Sequence, residues 1–151
     1  MPTEIKDSIG QLIRERAHEY GTTTGRARRC GWFDGVASRY SARINGFTDA
    51  VITRLDIFDT LDTIKVCTAY AVDGKRIDNF PASIDVLERC QPVYEEMPGW
   101  RAPTHDIRRF EDLPAAAQSY VRRVESLVAC PVSLVSVGAR REQTIWLRSI
   151  V

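Results

Sequence analysis

Residues 113–137 read LPAAAQSYVRRVESLVACPVSLVSV and contain the clearest helix signal in the chain, followed by a strand signal. Pro114 suits the first turn of a helix. Apolar residues then repeat at three- and four-residue steps, as on one face of a helix; with the leucine before Pro114 they are Leu113, Ala117, Tyr120, Val124, Leu127 and Val128. After Pro131, residues 132–137 alternate little, which is typical of a buried strand. The segment therefore predicts a helix followed directly by a buried strand, with a last strand near 144–147.

Two further helices are predicted toward the N-terminus. Residues 8–20 carry apolar side chains at helical spacing, and Ser8 with Gln11 forms a capping-box pattern. Residues 33–44 repeat the same spacing, and Asn45-Gly46 then supplies a helix stop.

Short β-rich runs lie between these helices. Residues 50–53 are apolar and predict a strand buried on both faces. Residues 63–70 are strand-like, and Asp73-Gly74 is a favoured two-residue turn with a return strand through Ile77. These patterns predict an antiparallel hairpin.

The stretch from Phe80 to Arg109 has four prolines and no clean period. It predicts an irregular surface segment with one short helix near 84–89. No internal repeat or linker divides the chain, so one domain or domain fragment is expected.

Composition is that of a soluble globular protein, with 44% hydrophobic and 27% charged residues among 151. The formal net charge is +1, so no global field favours nucleic acid or an anionic membrane, and any anion site is expected to be local. The four cysteines show neither C-x-x-C nor metal-ligand spacing and predict small buried hydrophobes. Without a leader or a membrane-length apolar run, a cytosolic protein with reduced thiols is expected.

The loop at residues 21–31, GTTTGRARRCG, has the composition of an anion-binding loop. Its threonines offer hydroxyl donors, and a glycine amide can approach a ligand closely. Guanidinium forks such as that of Arg26 match carboxylate or phosphate with two parallel hydrogen bonds. A solvated basic loop is the alternative that composition leaves open.

Two strand ends carry candidate base-reading groups. Asp56 follows the run 50–53, and its two carboxylate oxygens match the two adjacent donors of a guanine edge but not adenine. Ser136-Val137-Gly138 offers a hydroxyl, amides and a carbonyl to a purine ring. The alternatives are that Asp56 caps a turn and that Gly138 merely turns the chain. His18 and His105 have no nucleophile beside them in the sequence, and we assign them no catalytic role.

Six segments form a specific pattern along nearly the whole chain. In order they are GTTTGRARRCGWFD, ITRLDIFD, IKVCTAY, PVYEEMPGW, LPAAAQSYVRRVE and SVGARREQTI. Together they resemble the C-terminal part of the adenylosuccinate synthetase family. The resemblance implies a large α/β fold with a mainly parallel sheet, of which this chain supplies the C-terminal fragment with its antiparallel hairpin. Pro2-Thr3-Glu4 also resembles an internal segment of the family, so the first two thirds of the enzyme are expected to be absent.

That family joins IMP to L-aspartate with GTP and Mg²⁺, in AMP biosynthesis, as a cytoplasmic homodimer. Carried over by position, the resemblance implies an aspartate-binding loop whose Arg26 also reaches IMP and whose Arg28 contacts GTP. It implies a guanine site in which Asp56 reads the base. The loop residues are Thr22, Thr23, Thr24, Gly25, Arg26, Ala27 and Arg28; the other GTP-binding residues are Arg54, Leu55, Asp56, Ser136, Val137 and Gly138.

This chain departs from the family pattern in two respects. Arg54 stands where the family usually has lysine, and the two side chains pack differently against an aromatic ring. The glycine-rich phosphate loop, the catalytic aspartate and histidine and the magnesium ligands have no counterpart in the sequence. We therefore expect no catalytic residue and no metal ligand in this chain, and no activity from it alone.

Three interpretations of function remain open at this stage. In the first, the chain is a piece of the ligase that works only with the absent N-terminal portion. In the second, it has no catalytic role, either as a guanine-nucleotide-binding module or as an inactive truncated product. In the third interpretation, which is ranked last because of the near-neutral charge, Arg26–Arg29 bind nucleic acid nonspecifically.

Overall fold

The structure is a computed structural model that describes residues 1–149. Helices and strands alternate along most of the chain, and the best-predicted pair, a helix followed by a buried strand, is present. The helices are α1 (Ser8–Ala17), α2 (Gly35–Asn45), α3 (Ile84–Arg89) and α4 (Ala115–Val128). The strands are β1 (Phe33–Asp34), β2 (Ala50–Ile52), β3 (Thr63–Val72), β4 (Lys75–Ile77), β5 (Gln91–Pro98), β6 (Val132–Ser136) and β7 (Thr144–Trp146).

The strands form two mixed sheets. In the first, β3 pairs in parallel with β1 and antiparallel with β4 and β5. In the second, β2 and β6 are parallel, with Ala50 opposite Val132, and β7 runs antiparallel to β6. The α/β fold class is confirmed, with parallel and antiparallel pairs side by side in this segment.

Helix α4 buries one apolar face against the rest of the molecule. Its buried side chains are Ala117, Tyr120, Val121, Val124, Leu127 and Val128. On its outer side, Arg123 donates to both carboxylate oxygens of Glu95 on β5, with N to O distances of 2.6–3.1 Å. The helix ends at Ala129, which takes a left-handed conformation and donates its N–H to the Glu125 carbonyl. Pro114 is the N-cap of the helix, so it lies one residue before the first turn, in which the sequence predicts it.

The hairpin and the short helix α3 lie where the sequence predicts them. Asp73 and Gly74 both have positive φ, and Tyr70 pairs with Ile77 across the turn. Helix α2 ends at Gly46, whose left-handed backbone donates to the Ala42 carbonyl, as the Asn-Gly stop predicts. The four cysteines are free and buried, as expected.

The start and end of α1 differ from the prediction. Asp7 is the N-cap, and its carboxylate accepts from the N–H groups of Ile9 and Gly10. The capping box of Ser8 and Gln11 is therefore wrong, and Gln11 donates instead to Glu15, one turn later. The helix stops at Ala17 rather than residue 20, because His18 adopts a left-handed conformation that ends the regular hydrogen bonding.

Strand β5 was not predicted, because its region carries prolines that favour an irregular segment. Pro92 and Pro98 lie at its second and last positions, and between them the strand pairs along β3. In the part of the chain that the structure describes, β5 pairs with β3 alone. An edge strand tolerates proline because the missing N–H faces away from the partner strand.

Strand β2 is more exposed than its sequence predicts. Val51 is 49% exposed, so burial on both faces is wrong for this strand as it stands here. Among residues 1–149, β2 pairs only with β6 and forms the edge of its sheet. None of the helices in this range has the length and apolar character needed to cross a bilayer.

Buried Asp59 ties three polar groups together beside the core. Its carboxylate accepts from the Trp100 indole at 2.8 Å and from the N–H and hydroxyl of Thr104 at 2.9 Å each.

We expect Asp59→Ala to lower the free energy of unfolding by about 2–4 kcal/mol, because these buried donors lose their acceptor. Urea denaturation measures the change, with exposed Glu88→Ala as the control at about 0.5 kcal/mol or less. Equal losses in the two variants would contradict this role of Asp59.

A second prediction concerns alkaline pH. Burial, helped by the charge of Asp34, raises the pKa of Cys67 from 9.0 to about 12. The native thiol therefore keeps its proton where the unfolded thiol loses it, so stability falls as pH rises from about 9 to about 12. We expect Cys67 to contribute a slope of about 1.4 kcal/mol per pH unit. In Cys67→Ala this part of the slope should be missing; identical slopes in chemical denaturation between pH 9 and 11 would contradict it.

Candidate nucleotide and anion site

The threonine- and arginine-rich loop folds back on itself directly after α1. Tyr20 and Ala27 form an isolated antiparallel bridge. The Gly21 N–H donates to the Arg26 carbonyl, and the Gly25 N–H donates to the Gly21 carbonyl, each at 2.8 Å. Gly25 has φ +63°, a conformation that glycine adopts without strain. The residues from Thr22 to Arg29 are all exposed, so an ordered turn presents their hydroxyl and guanidinium groups to solvent.

The three arginines of the loop differ in their partners. Arg28 forms an ion pair with Glu19 at 2.9 Å, and Arg29 lies 3.6 Å from the Glu4 carboxylate. The Arg28 carbonyl also accepts from the side chain of Arg14, which fixes the loop to α1. Within residues 1–149 the Arg26 guanidinium has no hydrogen bond or ion pair. Arg26 is therefore the loop arginine best placed to bind an added anion.

The second candidate group follows β2. Arg54 has φ +58°, and its N–H donates to the Ser136 hydroxyl at 2.8 Å. Its guanidinium lies on the Asp56 carboxylate, with Nε to Oδ1 and Nη2 to Oδ2 distances of 3.0 Å each. In the described residues, Asp56 makes no side-chain cap to the 3-10 turn Leu55–Phe58. The capping alternative is thus wrong, and the carboxylate is held by an arginine.

The hydrogen bonds that Arg54 donates to the Asp56 carboxylate raise the pKa of Arg54. The charges of Asp56 and Glu19 act in the same direction, and partial burial opposes them. Glu19 is the residue that pairs with Arg28, so its carboxylate acts electrostatically on both the loop and the Arg54 side chain.

Ser136, Val137 and Gly138 lie at the end of β6, beside Arg54. The parallel pairing of β2 with β6 brings the carboxyl ends of both strands to one edge, where α/β proteins commonly bind ligands. The Gln143 side chain covers Gly138 so closely that an added Cβ would lie 2.2 Å from its Oε1. Gln143 also donates to the His105 carbonyl and accepts from the Arg140 N–H. Gly138 thus serves a close approach rather than a positive-φ turn.

Two of the predicted site residues bury their side chains and can therefore offer a ligand only backbone groups. The side chains of Leu55 and Val137 are buried in the core, at 1% and 0% exposure. A ligand can therefore contact Leu55 and Val137 only through their backbone N–H and carbonyl groups.

Arg16, near the end of α1, contacts both Arg54 and Asp56 and was not identified from the sequence. Its guanidinium donates to the Asp56 carbonyl and to the Thr60 hydroxyl, both at 3.0 Å. Its own carbonyl accepts from Arg54 Nη2 at 3.2 Å. The end of α1 therefore contacts Arg54 and Asp56 and continues directly into the loop. Glu19 and Gln143 were also missed: Glu19 lies outside the six family-like segments, and Gln143 lies within SVGARREQTI but had no role assigned to it.

The imidazole groups of the two histidines are not part of this arrangement. His18 is exposed and caps α1, and His105 pairs with exposed Asp106. In the range 1–149, no group of three or more metal-ligating side chains lies together.

Comparison with known proteins connects this site to one family. The family model described as adenylosuccinate synthetase matches residues 1–145. The adenylosuccinate synthetase of Dehalococcoides mccartyi strain 195 is 56% identical over 146 residues, which are 97% of this chain and 34% of that protein. That of Caldanaerobacter subterraneus is 53% identical over 148 residues, 98% of this chain and 35% of that protein.

A solved structure agrees with the sequence matches. The fully ligated adenylosuccinate synthetase from Plasmodium falciparum superposes with a TM-score of 0.93 at 32% identity. The match covers 98% of this chain and 36% of that one. The chain thus spans about a third of the length of the curated relatives it matches. Its sequence and its fold together show that it belongs to the adenylosuccinate synthetase family.

Proposed function

We propose that this chain is the C-terminal part of a GTP-dependent ligase that joins IMP and L-aspartate to form adenylosuccinate in AMP biosynthesis. In this proposal it supplies the aspartate loop and the guanine-binding elements. One observation carries the proposal: the end of α1 contacts Arg54 and Asp56 and leads directly into the loop that exposes Arg26. The loop proposed to bind anions therefore follows directly on the helix end that contacts Asp56, the residue proposed to read the base.

The loop is proposed to hold the small anionic substrates. Thr22, Thr23 and Thr24 present hydroxyl groups. The Arg26 guanidinium, which has no partner within residues 1–149, can bind the carboxylate of aspartate and reach IMP. A cation between two anionic ligands lowers their mutual repulsion and helps to hold their reacting atoms close. Arg28 is proposed to contact GTP. Its exposed pair with Glu19 is worth about 1 kcal/mol or less, so a phosphate can replace that partner at small cost.

The end of the β2–β6 pair is proposed to bind the guanine base. Asp56 accepts from the two adjacent donors of guanine, which adenine lacks. Ser136, Val137 and Gly138 line the other side of the base, the last two through backbone groups.

The remaining chemistry is assigned to the other two thirds of the enzyme. We place no catalytic residue and no Mg²⁺ ligand in this chain. The family's phosphoryl transfer also depends on a glycine-rich phosphate loop, a catalytic aspartate and histidine and magnesium ligands, which have no counterpart among these residues. A homodimer in the cytosol completes the proposal, and the four free cysteines support a reducing compartment.

Two alternatives are weighed against this function. A non-catalytic guanine-nucleotide module, or an inactive truncated product, shares the geometry but lacks turnover in any context. Nonspecific nucleic-acid binding by Arg26–Arg29 is disfavoured, because the formal net charge of the chain is only +1.

A chimera tests the ligase proposal. In it, this chain replaces the segment of the Dehalococcoides mccartyi synthetase to which it aligns. We expect adenylosuccinate formation, and a loss of about 10²–10³ in kcat for Arg26→Leu because its charge stabilisation is removed. Arg29→Leu is the matched control in the same loop and should stay within about twofold. Asp56→Ala should lower the preference for GTP over ATP by about tenfold or more.

These variants separate the two halves of the proposal. Equal activities of Arg26→Leu and Arg29→Leu would show that the loop is not the substrate site. An unchanged GTP preference in Asp56→Ala would remove the base-reading role. A chimera that binds GDP but never turns over would favour the non-catalytic module.

The isolated 151-residue chain provides the complementary prediction. We expect no phosphate release when it is mixed with GTP, IMP, aspartate and Mg²⁺, because the phosphoryl-transfer groups are not assigned to it. A sensitive phosphate assay gives the measurement, with the chimera as the positive control. Turnover by the pure chain would contradict the proposal. Calorimetric titration with GDP then distinguishes a binding module, which gives a measurable Kd, from an incomplete fragment, which does not.

A further inference from the structure

The carboxylate proposed to read guanine already holds another ligand, the side chain of Arg54. Arg54 Nε lies 3.0 and 3.3 Å from the two Asp56 oxygens, and Nη2 lies 3.0 Å from Oδ2. The two side chains are only 26% and 18% exposed. The guanidinium therefore occupies both carboxylate oxygens in a partly desolvated position, where a paired charge is held more firmly than on an open surface.

The backbone brings this pair together. The Arg54 N–H is anchored on the Ser136 hydroxyl, and the left-handed conformation at Arg54 turns the chain into the 3-10 turn that contains Asp56. The guanidinium is steadied further by the Arg16 carbonyl at 3.2 Å. Contacts from β6 and α1, on either side, thus hold Arg54 in place over Asp56.

Guanine and the Arg54 guanidinium present the same arrangement of two N–H donors to a carboxylate. Guanine offers N1–H and its exocyclic amino N–H from either side of one carbon atom. The Nε–H and Nη2–H of arginine flank Cζ in the same way, so both groups fit one carboxylate with two parallel hydrogen bonds. A carboxylate offers only one position where a ligand can form two parallel hydrogen bonds, one to each oxygen, and Arg54 occupies that position on Asp56. The base and the guanidinium therefore compete for it.

We propose that Arg54 is an intramolecular competitor of guanine. Its guanidinium occupies the Asp56 carboxylate until the base displaces it, and this competition lowers the affinity for GTP. This inference rests on the base-reading role proposed for Asp56. The lysine usual in the family is a point charge without the planar pair of donors, so it holds the carboxylate less well. Adenine uses neither Asp56 oxygen, so the competition applies to guanine nucleotides selectively.

Binding measurements on the chimera test the competition. Arg54→Lys and Arg54→Met both remove the paired donors, and each should lower the Kd for GDP by about fivefold, the factor expected for an ion pair of about 1 kcal/mol. The Kd for ADP should stay within about twofold. The GDP effect should also appear as a lower KM for GTP. Agreement between the two variants excludes a contact made only by the new lysine.

The outcomes separate this inference from the function on which it rests. A GDP affinity that is unchanged or weaker in both Arg54 variants, while Asp56→Ala abolishes the GTP preference, overturns the competition and leaves the base-reading role intact. If Asp56→Ala leaves the preference unchanged, both proposals fail. NMR of the 151-residue chain tests the Arg54–Asp56 ion pair in the absence of nucleotide. The Arg54 Nε–H signal should shift in Asp56→Asn, and no shift would exclude the ion pair in solution.

Discussion

The parallel pairing of β2 with β6 is the constraint on which the rest of the site depends. It brings the residues after both strands to one edge, where the Ser136 hydroxyl accepts the Arg54 N–H at 2.8 Å. That single bond supports a left-handed residue, and the short turn that follows carries Asp56. The buried side chains of Leu55 and Val137 anchor the two strand ends in the core. The polar groups between them are consequently held on a rigid support, which a binding site requires.

Charge is arranged locally rather than globally. The chain is almost neutral, yet arginines gather where the end of α1 meets the loop and the 3-10 turn. Most of these arginines already have partners: Arg28 has Glu19, Arg29 has Glu4 and Arg54 has Asp56. Arg26 has none within residues 1–149 and is therefore the loop arginine whose charge is available. A near-neutral chain can still hold a local anion site, because each carboxylate neutralises only the arginine beside it. Coulomb interactions between exposed charges weaken within about 10 Å in salt, so distant carboxylates have little effect on Arg26.

Helix α4 and the buried strand after it were the most predictable elements, and the reason is physical. A helix that buries a single face repeats its apolar residues at 3.6-residue spacing, and buried β-rich runs are equally direct to interpret. Strand β5 was hidden because Pro92 and Pro98 favour irregular structure, and only its place at the sheet edge makes them acceptable. The overestimated length of α1 has a similar cause. Tyr20 continues the helical spacing, but a left-handed His18 ends the helix before it.

The sequence by itself determined the helix and strand order in most of the chain, the loop with its threonines and arginines, and the family to which the chain belongs. These properties reside in local spacing and in ordered motifs, which do not require knowledge of contacts. Only the tertiary structure decided that Arg16 links the end of α1 to Arg54 and Asp56, that Arg26 has no side-chain partner within residues 1–149, and that Arg54 occupies the Asp56 carboxylate. Such facts depend on residues that lie up to 82 positions apart, as Arg54 and Ser136 do, and on side-chain directions that no local pattern encodes.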